Sequence, residues 1–206
     1  MFKILKKKQL SQVIHLIEVE APLVAASAKS GQFIMLRIHE TGERIPMTIA
    51  DIDKANNSVT IVFQEAGKTT KHLASLQEGD CIKDFIGPLG KATDFGGAKN
   101  VVCVGGGVGI AEIYPEAKHL KESGVNVISI IGSRSKDLLF FEDEMRKASN
   151  ELHITTDDGS HGQKGFVTDV LKKLIADGRK IDLVIAVGPI IMMKMVANAT
   201  KPHNIK

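Results

Sequence analysis

The stretch "VVCVGGGVGI", residues 101–110, decides how the rest of the chain is interpreted. Its apolar residues predict a buried strand, and its glycines predict a turn into the apolar, helix-prone segment 108–122. Such a turn lets phosphate groups approach bare backbone N–H groups at a helix start. Isoleucine stands at position 110, so a Gly-x-Gly-x-x-Gly fingerprint beginning at Gly105 is incomplete. The loop indicates either a nucleotide site outside that fingerprint or a tight turn that packs a strand against a helix.

After residue 99, buried-type strands alternate with helices. Strands are predicted at "NVVCVG", "VNVISIIG", "LHITT" and "IDLVIAVGP", and helices at 108–122, 138–149, 165–177 and 189–200. In the third of these helices, Phe166, Val170 and Leu174 are predicted to lie on one side. Alternation at this spacing predicts parallel pairing with right-handed crossovers, which gives a doubly wound α/β sheet.

The first ninety residues are typical of a different architecture. Short strands with turn signals at near-regular spacing predict a small antiparallel barrel. In "NSVTIVFQEAG" the residues Val59, Ile61 and Phe63 share one face, and only the segment 68–77 has helical character. A polar, glycine-bearing segment at 91–100 separates the two halves, so we predict domains at 1–96 and 97–206.

Composition excludes several function classes. Of the 206 residues, 43% are hydrophobic and 25% are charged, which is typical of a soluble globular protein. The net charge of +3 is too small to indicate a nucleic-acid partner. No apolar run is long enough for a membrane span, and no signal peptide is recognisable. The two cysteines, Cys81 and Cys103, lie in apolar strand-like runs, so a disulfide framework is not expected. The absence of such a framework favours a reducing, cytoplasmic location.

The last residues, "KPHNIK", follow a predicted helix, and Ile205 looks like the start of a further strand. Without that strand the sheet would expose an edge. We therefore expect that the second domain is truncated at its C-terminus and that the polypeptide continues beyond Lys206.

Two loops in the first half contain residues that bind phosphate in other proteins. Gly67-Lys68-Thr69 resembles the end of a P-loop, but Val62 stands where that motif needs a glycine, so a P-loop NTPase is improbable. Thr69 and Thr70 are able to hold a phosphate at a helix start or simply to cap the helix. In "GERIPMTIAD", Arg44 is a phosphate or carboxylate binder by chemistry, although a proline-bearing strand start explains the segment equally well.

The order of motifs resembles the ferredoxin–NADP reductase superfamily. "RIPMTIA" is followed by "GKTTKHL", "GPLG", "VCVGGGVGIA", "GSRSKDLLFFEDEM", "TTDDGSHGQKG" and "AVGP". Within the superfamily this series resembles the electron-transfer subunits of dihydroorotate dehydrogenase and, more closely, the small subunits of NADH-dependent ferredoxin–NADP oxidoreductase, also described as sulfide dehydrogenase small subunits. The resemblance implies a barrel that holds FAD and an α/β domain that holds a nicotinamide nucleotide.

The resemblance also implies which residues bind the cofactors. Those that would contact FAD are Arg44, Pro46, Met47, Thr48, Gly67, Thr69 and Thr70. Thr48 would lie near the reactive N5 and is the single catalytic candidate, whereas Met47 stands where most members have a tyrosine. Those that would contact the dinucleotide are Gly105, Gly106, Gly107, Gly109, Ser133, Arg134, Asp157, Asp158, Gly188 and Pro189. NAD(H) is the expected nucleotide, and NADP(H) is not excluded, because Ser133, Arg134 and Ser135 are able to accept a 2′-phosphate.

The implied partner is a larger flavin and iron–sulfur subunit, with which this chain would form a heterodimer, or ferredoxin. The family carries a C-terminal [2Fe–2S] module with four cysteines, none of which is present here, so no cluster is expected in this chain as given. The seven histidines are scattered without metal-binding spacing, so no other metal site is expected. The sequence thus predicts an FAD-dependent NAD(P)H oxidoreductase. The alternative is a non-catalytic nucleotide-binding assembly module that has lost its flavin site.

Overall fold

The fold is described from a computed structural model of residues 1–206. The chain separates into two compact units, Met1–Thr93 and Asp94–Lys206, and the division lies within the polar segment 91–100. Each unit has its own apolar core.

The first unit consists of two antiparallel sheets that form a barrel-like structure. Its strands are β1 (Phe2–Gln9), β2 (Ile14–Glu20), β3 (Phe33–Arg37), β4 (Ile45–Thr48), β5 (Asp51–Asp53), β6 (Ser58–Gln64), β7 (Cys81–Ile82) and β8 (Asp84–Leu89). The sheet orders are β5-β6-β2-β1-β7 and β4-β3-β8. Val59, Ile61 and Phe63 on β6 are all buried in one core, as their alternation predicts. The predicted antiparallel barrel is confirmed.

The first unit also contains a helix that the sequence analysis does not predict. The predicted helix α2 spans Lys68–Ser75, but a second helix, α1, spans Pro22–Ser27. Six residues are too few for a stable isolated helix. α1 forms because Val24 and Ala25 are buried in the barrel core and Pro22 suits a first helical turn.

The second unit is a parallel sheet covered by helices. Its strands are β9 (Asn100–Gly106), β10 (Asn126–Ser133), β11 (Glu151–Thr156), β12 (Gln163–Lys164) and β13 (Leu183–Val187). Its helices are α3 (Gly109–Glu122), α4 (Glu142–Lys147), α5 (Val167–Ala176) and α6 (Ile190–Thr200). The strand order is β12-β11-β10-β9-β13, and every pair is parallel. The predicted doubly wound sheet is confirmed.

The inner strand β9, between β10 and β13, is buried on both faces. Val102 and Val104 pack in one cluster with residues of α5 and α6, and α3 lies against the same strand. This explains why residues 101–104 form an uninterrupted apolar run rather than an alternating pattern. Because the chain moves from β9 outward to β12 and then returns to the other side of β9 at β13, the strand order reverses between β9 and β13. Open α/β sheets bind ligands outside the carboxyl ends of the strands at such a switch point.

Two helix predictions differ from the structure. The helix predicted at 138–149 is reduced to α4, because Phe141 has a φ of 60° and so cannot continue a right-handed helix in front of Glu142. Phe166 precedes α5 and is 60% exposed, so it does not share the buried side formed by Val170 and Leu174.

The last residues lie beside β13 without forming a strand. Ile205 is not part of a strand, but the carbonyl of Lys206 accepts a hydrogen bond of 2.9 Å from the Val184 N–H on β13.

No helix has the length and apolar character needed to cross a bilayer.

Candidate functional site

The candidate dinucleotide residues come together at the carboxyl edge of the parallel sheet. The Gly107 N–H donates a hydrogen bond of 3.0 Å to the carbonyl of Gly132, which links the loop after β9 to the end of β10. A Cβ placed on Gly188, after β13, would lie 2.9 Å from the carbonyl oxygen of Gly106. The loop after β9 therefore lies between its two neighbouring strand ends at the switch point.

Three of the four glycines in this loop are required by packing. A Cβ on Gly109 would overlap the carbonyl oxygen of Val187, and one on Gly105 would lie 2.9 Å from Cγ2 of Ile113. A Cβ on Gly106 would lie 2.5 Å from Sδ of Met192. These close approaches hold β9, β13, α3 and α6 together, so any side chain at these positions would separate them.

Gly107 differs from the other three glycines. Its φ is 57°, and a Cβ there would meet no atom within 4 Å. The position needs glycine for its backbone conformation and borders open space. It lies two residues before α3, where the helix dipole favours a negative charge. The N–H groups of Ile110 and Ala111 already donate to the carbonyls of Gly107 and Val108, at 3.2 and 3.0 Å. Within this loop, Gly107 is the place that an anionic ligand is able to approach.

The ends of β10 and β11 lie side by side next to this loop. The N–H groups of Asp157 and Asp158 donate to the carbonyls of Ser133 and Arg134, at 3.1 and 3.2 Å. The Ser133 hydroxyl donates to the Ser135 carbonyl at 2.7 Å. These four candidate residues therefore form one continuous surface, on which Arg134, Asp157 and Asp158 are exposed.

Ser160 organises this surface and was missed by the sequence analysis. Its hydroxyl donates to Oδ1 of Asp158 at 2.6 Å and accepts from the Lys136 N–H at 2.8 Å, while its own N–H donates to the same Oδ1 at 2.9 Å. The hydroxyl and N–H of Ser160 together hold the pKa of the Asp158 carboxyl below its usual range. The Asp-Gly-Ser sequence, typical of a turn, was the available signal.

In the first unit, the candidate flavin residues lie on β4 and at the start of α2. On β4, Pro46 pairs with Met35 of β3, and Thr48 pairs with Phe33. Met47 packs against the barrel core, so the alternation of a strand directs Pro46 and Thr48 to the opposite face. Pro46 is exposed and Thr48 is half-buried.

The start of α2 carries two hydroxyl groups with different partners. Thr70 Oγ1 accepts from the N–H groups of Ala66 and Gly67, at 2.9 and 3.0 Å, and so fixes the loop before the helix. Thr69 Oγ1 donates to Oε2 of Glu43 at 2.7 Å. Glu43 is the second residue that the sequence analysis missed, and its partner lies 26 positions away. Through this bond the segment that leads into β4 reaches the start of α2.

Arg44 adds a positive charge near β4. Its side chain is exposed and no ion pair holds its guanidinium. Arg37 donates a hydrogen bond of 2.6 Å to Asp84, and this bond holds the pKa of the Asp84 carboxyl below its usual range. Partial burial acts in the opposite direction, whereas the positive charges of Arg37 and Arg44 lower the pKa further. Because Arg37 already neutralises Asp84, Arg44 remains available to an external anion.

Other reactive groups are not arranged for chemistry of their own. Burial, aided by the negative charge of Glu116, raises the pKa of the Cys103 thiol far above its ordinary value, so no thiolate forms there. No group of three or more His, Cys, Asp and Glu side chains is placed to hold a metal ion.

Comparison with known proteins identifies relatives along most of the chain, although no family model matches. The chain is 45% identical over 192 residues to a dihydroorotate dehydrogenase B (NAD(+)) electron transfer subunit homolog of Thermotoga maritima. The match covers 93% of this chain and 67% of the relative. It is 36% identical over 198 residues to the electron transfer subunit of Fusobacterium nucleatum dihydroorotate dehydrogenase B (NAD(+)), covering 93% of the chain and 76% of the relative.

A solved structure shows the same fold. A chain of the NADH-dependent reduced ferredoxin-NADP oxidoreductase, determined for insight into flavin-based electron bifurcation, superposes with a TM-score of 0.91 at 43% identity. The match covers 98% of this chain and 72% of that one. Fold, motif order and sequence identity agree, and so this chain belongs to the family of dihydroorotate dehydrogenase B electron transfer subunits, ferredoxin reductase-like flavoprotein oxidoreductases with a role in electron transfer.

Proposed function

We propose that this chain transfers a hydride between NAD(H) and a bound FAD and passes electrons on to a larger flavin and iron–sulfur subunit or to ferredoxin. In this proposal residues 1–96 bind FAD and residues 97–206 bind the nicotinamide nucleotide. The observation that carries it is the open glycine, Gly107, at the switch point of a doubly wound sheet, in a chain whose relatives are named for NAD(+).

The residues of the second unit fit a dinucleotide. Gly107 leaves open space beside the loop that leads into α3, where the helix dipole suits a pyrophosphate group. Ser133, Arg134, Asp157 and Asp158 present hydroxyl, guanidinium and carboxylate groups for the adenosine ribose. We assign Gly105, Gly106 and Gly109 the supporting role of closing the turn, and place Gly188 and Pro189 beside the nicotinamide end.

The residues of the first unit fit the phosphate portion of a flavin nucleotide. The carboxylate of Glu43, which accepts from Thr69 at the start of α2, is a negatively charged group resting where a phosphate would bind. Gly67 leaves open space beside this helix start, since a Cβ there would meet nothing within 4 Å. In this assignment Arg44 neutralises phosphate charge, and Thr69 and Thr70 orient the helix start.

When bound, the nicotinamide and flavin rings supply the hydride donor and acceptor. The chain itself binds and orients them. Pro46 and Thr48, on the face of β4 away from the core, would border the flavin ring, and the Thr48 hydroxyl would donate a hydrogen bond to N5. Met47 supports β4 from the core side. No side chain of this chain is needed as a general acid or base, and the protonated Cys103 thiol takes no part.

The partner follows from the relatives' description as electron transfer subunits, which implies at least one further subunit that receives the electrons. The alternative function, a nucleotide-binding assembly module with a lost flavin site, is favoured by one observation. Met47 supplies no aromatic ring and packs on the core, so no stacking partner for a flavin lies at that position.

Colour and bleaching distinguish the two functions. The full chain, incubated with FAD and freed of excess, is expected to absorb near 450 nm and to bleach anaerobically when NADH is added. Arg44→Ala is expected to weaken FAD binding about tenfold, as loss of a charged phosphate contact does. Arg146→Ala, which removes an arginine paired with Glu142 in α4, is the control and is expected to bind FAD normally. Wild-type protein that stays colourless would contradict the oxidoreductase proposal and favour the assembly module.

A further inference from the structure

The groups around the end of β10 are not equally available to a ligand. The Ser133 hydroxyl hydrogen is engaged by the Ser135 carbonyl, and the Lys136 N–H is engaged by Ser160 Oγ. Neither remains as a donor for a phosphate. Among the groups considered for a 2′-phosphate, the exposed Arg134 guanidinium and the half-buried Ser135 hydroxyl form no hydrogen bond or ion pair, and Arg134 is the one that carries a positive charge.

A carboxylate is fixed beside these groups. Asp158 Oδ1 accepts two hydrogen bonds from Ser160, and Ser160 in turn accepts from the Lys136 N–H, so a chain of two hydrogen bonds ties the Asp158 carboxylate to the loop after β10. The backbone bonds from Asp157 and Asp158 to Ser133 and Arg134 hold the two loops together independently. This carboxylate is ionised at neutral pH, as an ordinary aspartate is, and the hydrogen bonds from Ser160 lower its pKa further.

In doubly wound nucleotide-binding folds, the residue at the end of the second strand of the sheet meets the 2′ position of the adenosine ribose. Here that strand is β10, and it ends without an acidic residue at Ser133 and Arg134. The turn after the neighbouring strand β11 supplies Asp157 and Asp158 instead. A carboxylate that is able to recognise a ribose 2′-hydroxyl is thus present, but it belongs to the loop after the next strand, β11.

Building on the dinucleotide site of the proposed function, we propose that Asp158 makes this site select NAD(H) over NADP(H). Its fixed carboxylate accepts a hydrogen bond from the 2′-hydroxyl of NAD(H) and repels the 2′-phosphate of NADP(H). Arg134 alone does not compensate for this repulsion, because Asp157 and Asp158 place two carboxylates beside its single guanidinium.

The test is a comparison of binding rather than of turnover. The full chain, loaded with FAD, is titrated with NAD+ and with NADP+ by isothermal calorimetry, and the ratio of the two dissociation constants is the readout. We expect NAD+ to bind at least about tenfold more tightly, and Asp158→Asn to reduce this preference about tenfold, since one charge contact of this kind corresponds to about one power of ten. The amide oxygen of asparagine is able to keep both hydrogen bonds from Ser160, so the loop is retained.

Two further variants separate charge from loop structure. Asp177→Asn removes an exposed carboxylate after α5, at the opposite edge of the sheet, and is expected to leave the ratio unchanged. Ser160→Ala keeps the Asp158 charge but removes its hydroxyl partner, so a smaller loss of preference is expected than for Asp158→Asn.

The outcomes are distinguishable. A wild-type preference for NADP+ that disappears in Arg134→Ala would overturn the inference and assign the 2′-phosphate to Arg134. A ratio that stays within about twofold in Asp158→Asn would also overturn it, while leaving the dinucleotide site of the proposed function intact. Failure of the wild-type chain to bind either nucleotide would overturn both the inference and the proposed function.

Discussion

Thr69 donates its hydroxyl hydrogen to a carboxylate oxygen of Glu43 across 2.7 Å, which places a negative charge at the start of α2. The first N–H groups of a helix, together with its dipole, attract such a charge. If the flavin phosphates bind there, they displace the carboxylate and are repelled by it.

Glu43→Gln is therefore expected to strengthen FAD binding by about three- to tenfold, in line with the small energies of exposed charge pairs. Fluorescence quenching of FAD on titration with the apoprotein measures the effect. Glu20→Gln, at the exposed end of β2, is the control and should leave the affinity unchanged. Weaker binding by Glu43→Gln would show that this carboxylate supports the site rather than competes for it.

Thr48→Val tests the hydroxyl group on the outward face of β4. The substitution keeps the side-chain shape and removes one hydrogen bond, which is worth about 1–3 kcal/mol when it supports the reacting ring. We expect anaerobic flavin reduction by NADH, followed by stopped-flow absorbance, to slow about 10- to 100-fold, with FAD affinity changed less than about threefold.

The control for this change is Thr60→Val on the neighbouring strand β6, where the side chain is also half-buried. Reduction of Thr48→Val at the wild-type rate would remove Thr48 from the proposed mechanism.

Gly109→Ala and Gly107→Ala are both expected to lower the free energy of unfolding, but for different reasons. At Gly109 the new methyl group overlaps the Val187 carbonyl, so β13 and α3 must separate. We expect a loss of about 2–3 kcal/mol in the free energy of unfolding, measured by urea denaturation.

At Gly107 the added methyl group meets no atom, and only the φ of 57° opposes it. Gly107→Ala is expected to cost about 1–2 kcal/mol and, in addition, to weaken NAD+ binding. Gly124→Ala is the matched control, because Gly124 has a φ of 80° and equally open surroundings but follows α3 at the other edge of the sheet. Equal NAD+ affinity in the Gly107 and Gly124 variants would argue against a ligand at the loop after β9.

The acid stability of the second unit is expected to depend on Asp182. Its Oδ2 accepts from the Asn100 and Lys99 N–H groups at 2.8 and 3.0 Å, and these bonds hold the pKa of the Asp182 carboxyl below its ordinary value of 3.8. Because the folded-state pKa is lowered, the stabilisation is fully present above pH 3.8 and is lost as the pH falls through the folded-state pKa.

Asp182→Asn should consequently melt at a lower temperature than the wild type at pH 7, and the difference should shrink below about pH 3.8. Melting temperatures between pH 7 and pH 2.5 measure this, with Asp177→Asn as an exposed control. A difference that stays constant across this range would mean that the ionised Asp182 does not contribute.

Much of the fold could be predicted because burial leaves a local pattern in the sequence. β9 is covered on both faces and so reads as a continuous apolar run, whereas in β6 every second residue, Val59, Ile61 and Phe63, is an apolar residue of the barrel core. α1 could not be predicted, since its six residues gain their stability from the barrel core rather than from their own sequence. The length of α4 depends on the left-handed conformation of Phe141, which no residue preference indicates.

For the candidate site, the sequence by itself determined the chemistry that is available and its order along the chain. Glycines after the first parallel strand, hydroxyls at a helix start and a resemblance to flavin-dependent reductases are all local features. Only the tertiary structure decided which groups are engaged and which are open. It separates Gly107 from the glycines that pack, pairs Glu43 with Thr69 and ties Asp158 to Lys136 through Ser160. Asp158 and Ser160 share one turn, but the Glu43–Thr69 and Lys136–Ser160 bonds join residues on different loops. Such contacts form only when the folded strands bring the loops together, so no local sequence pattern encodes them.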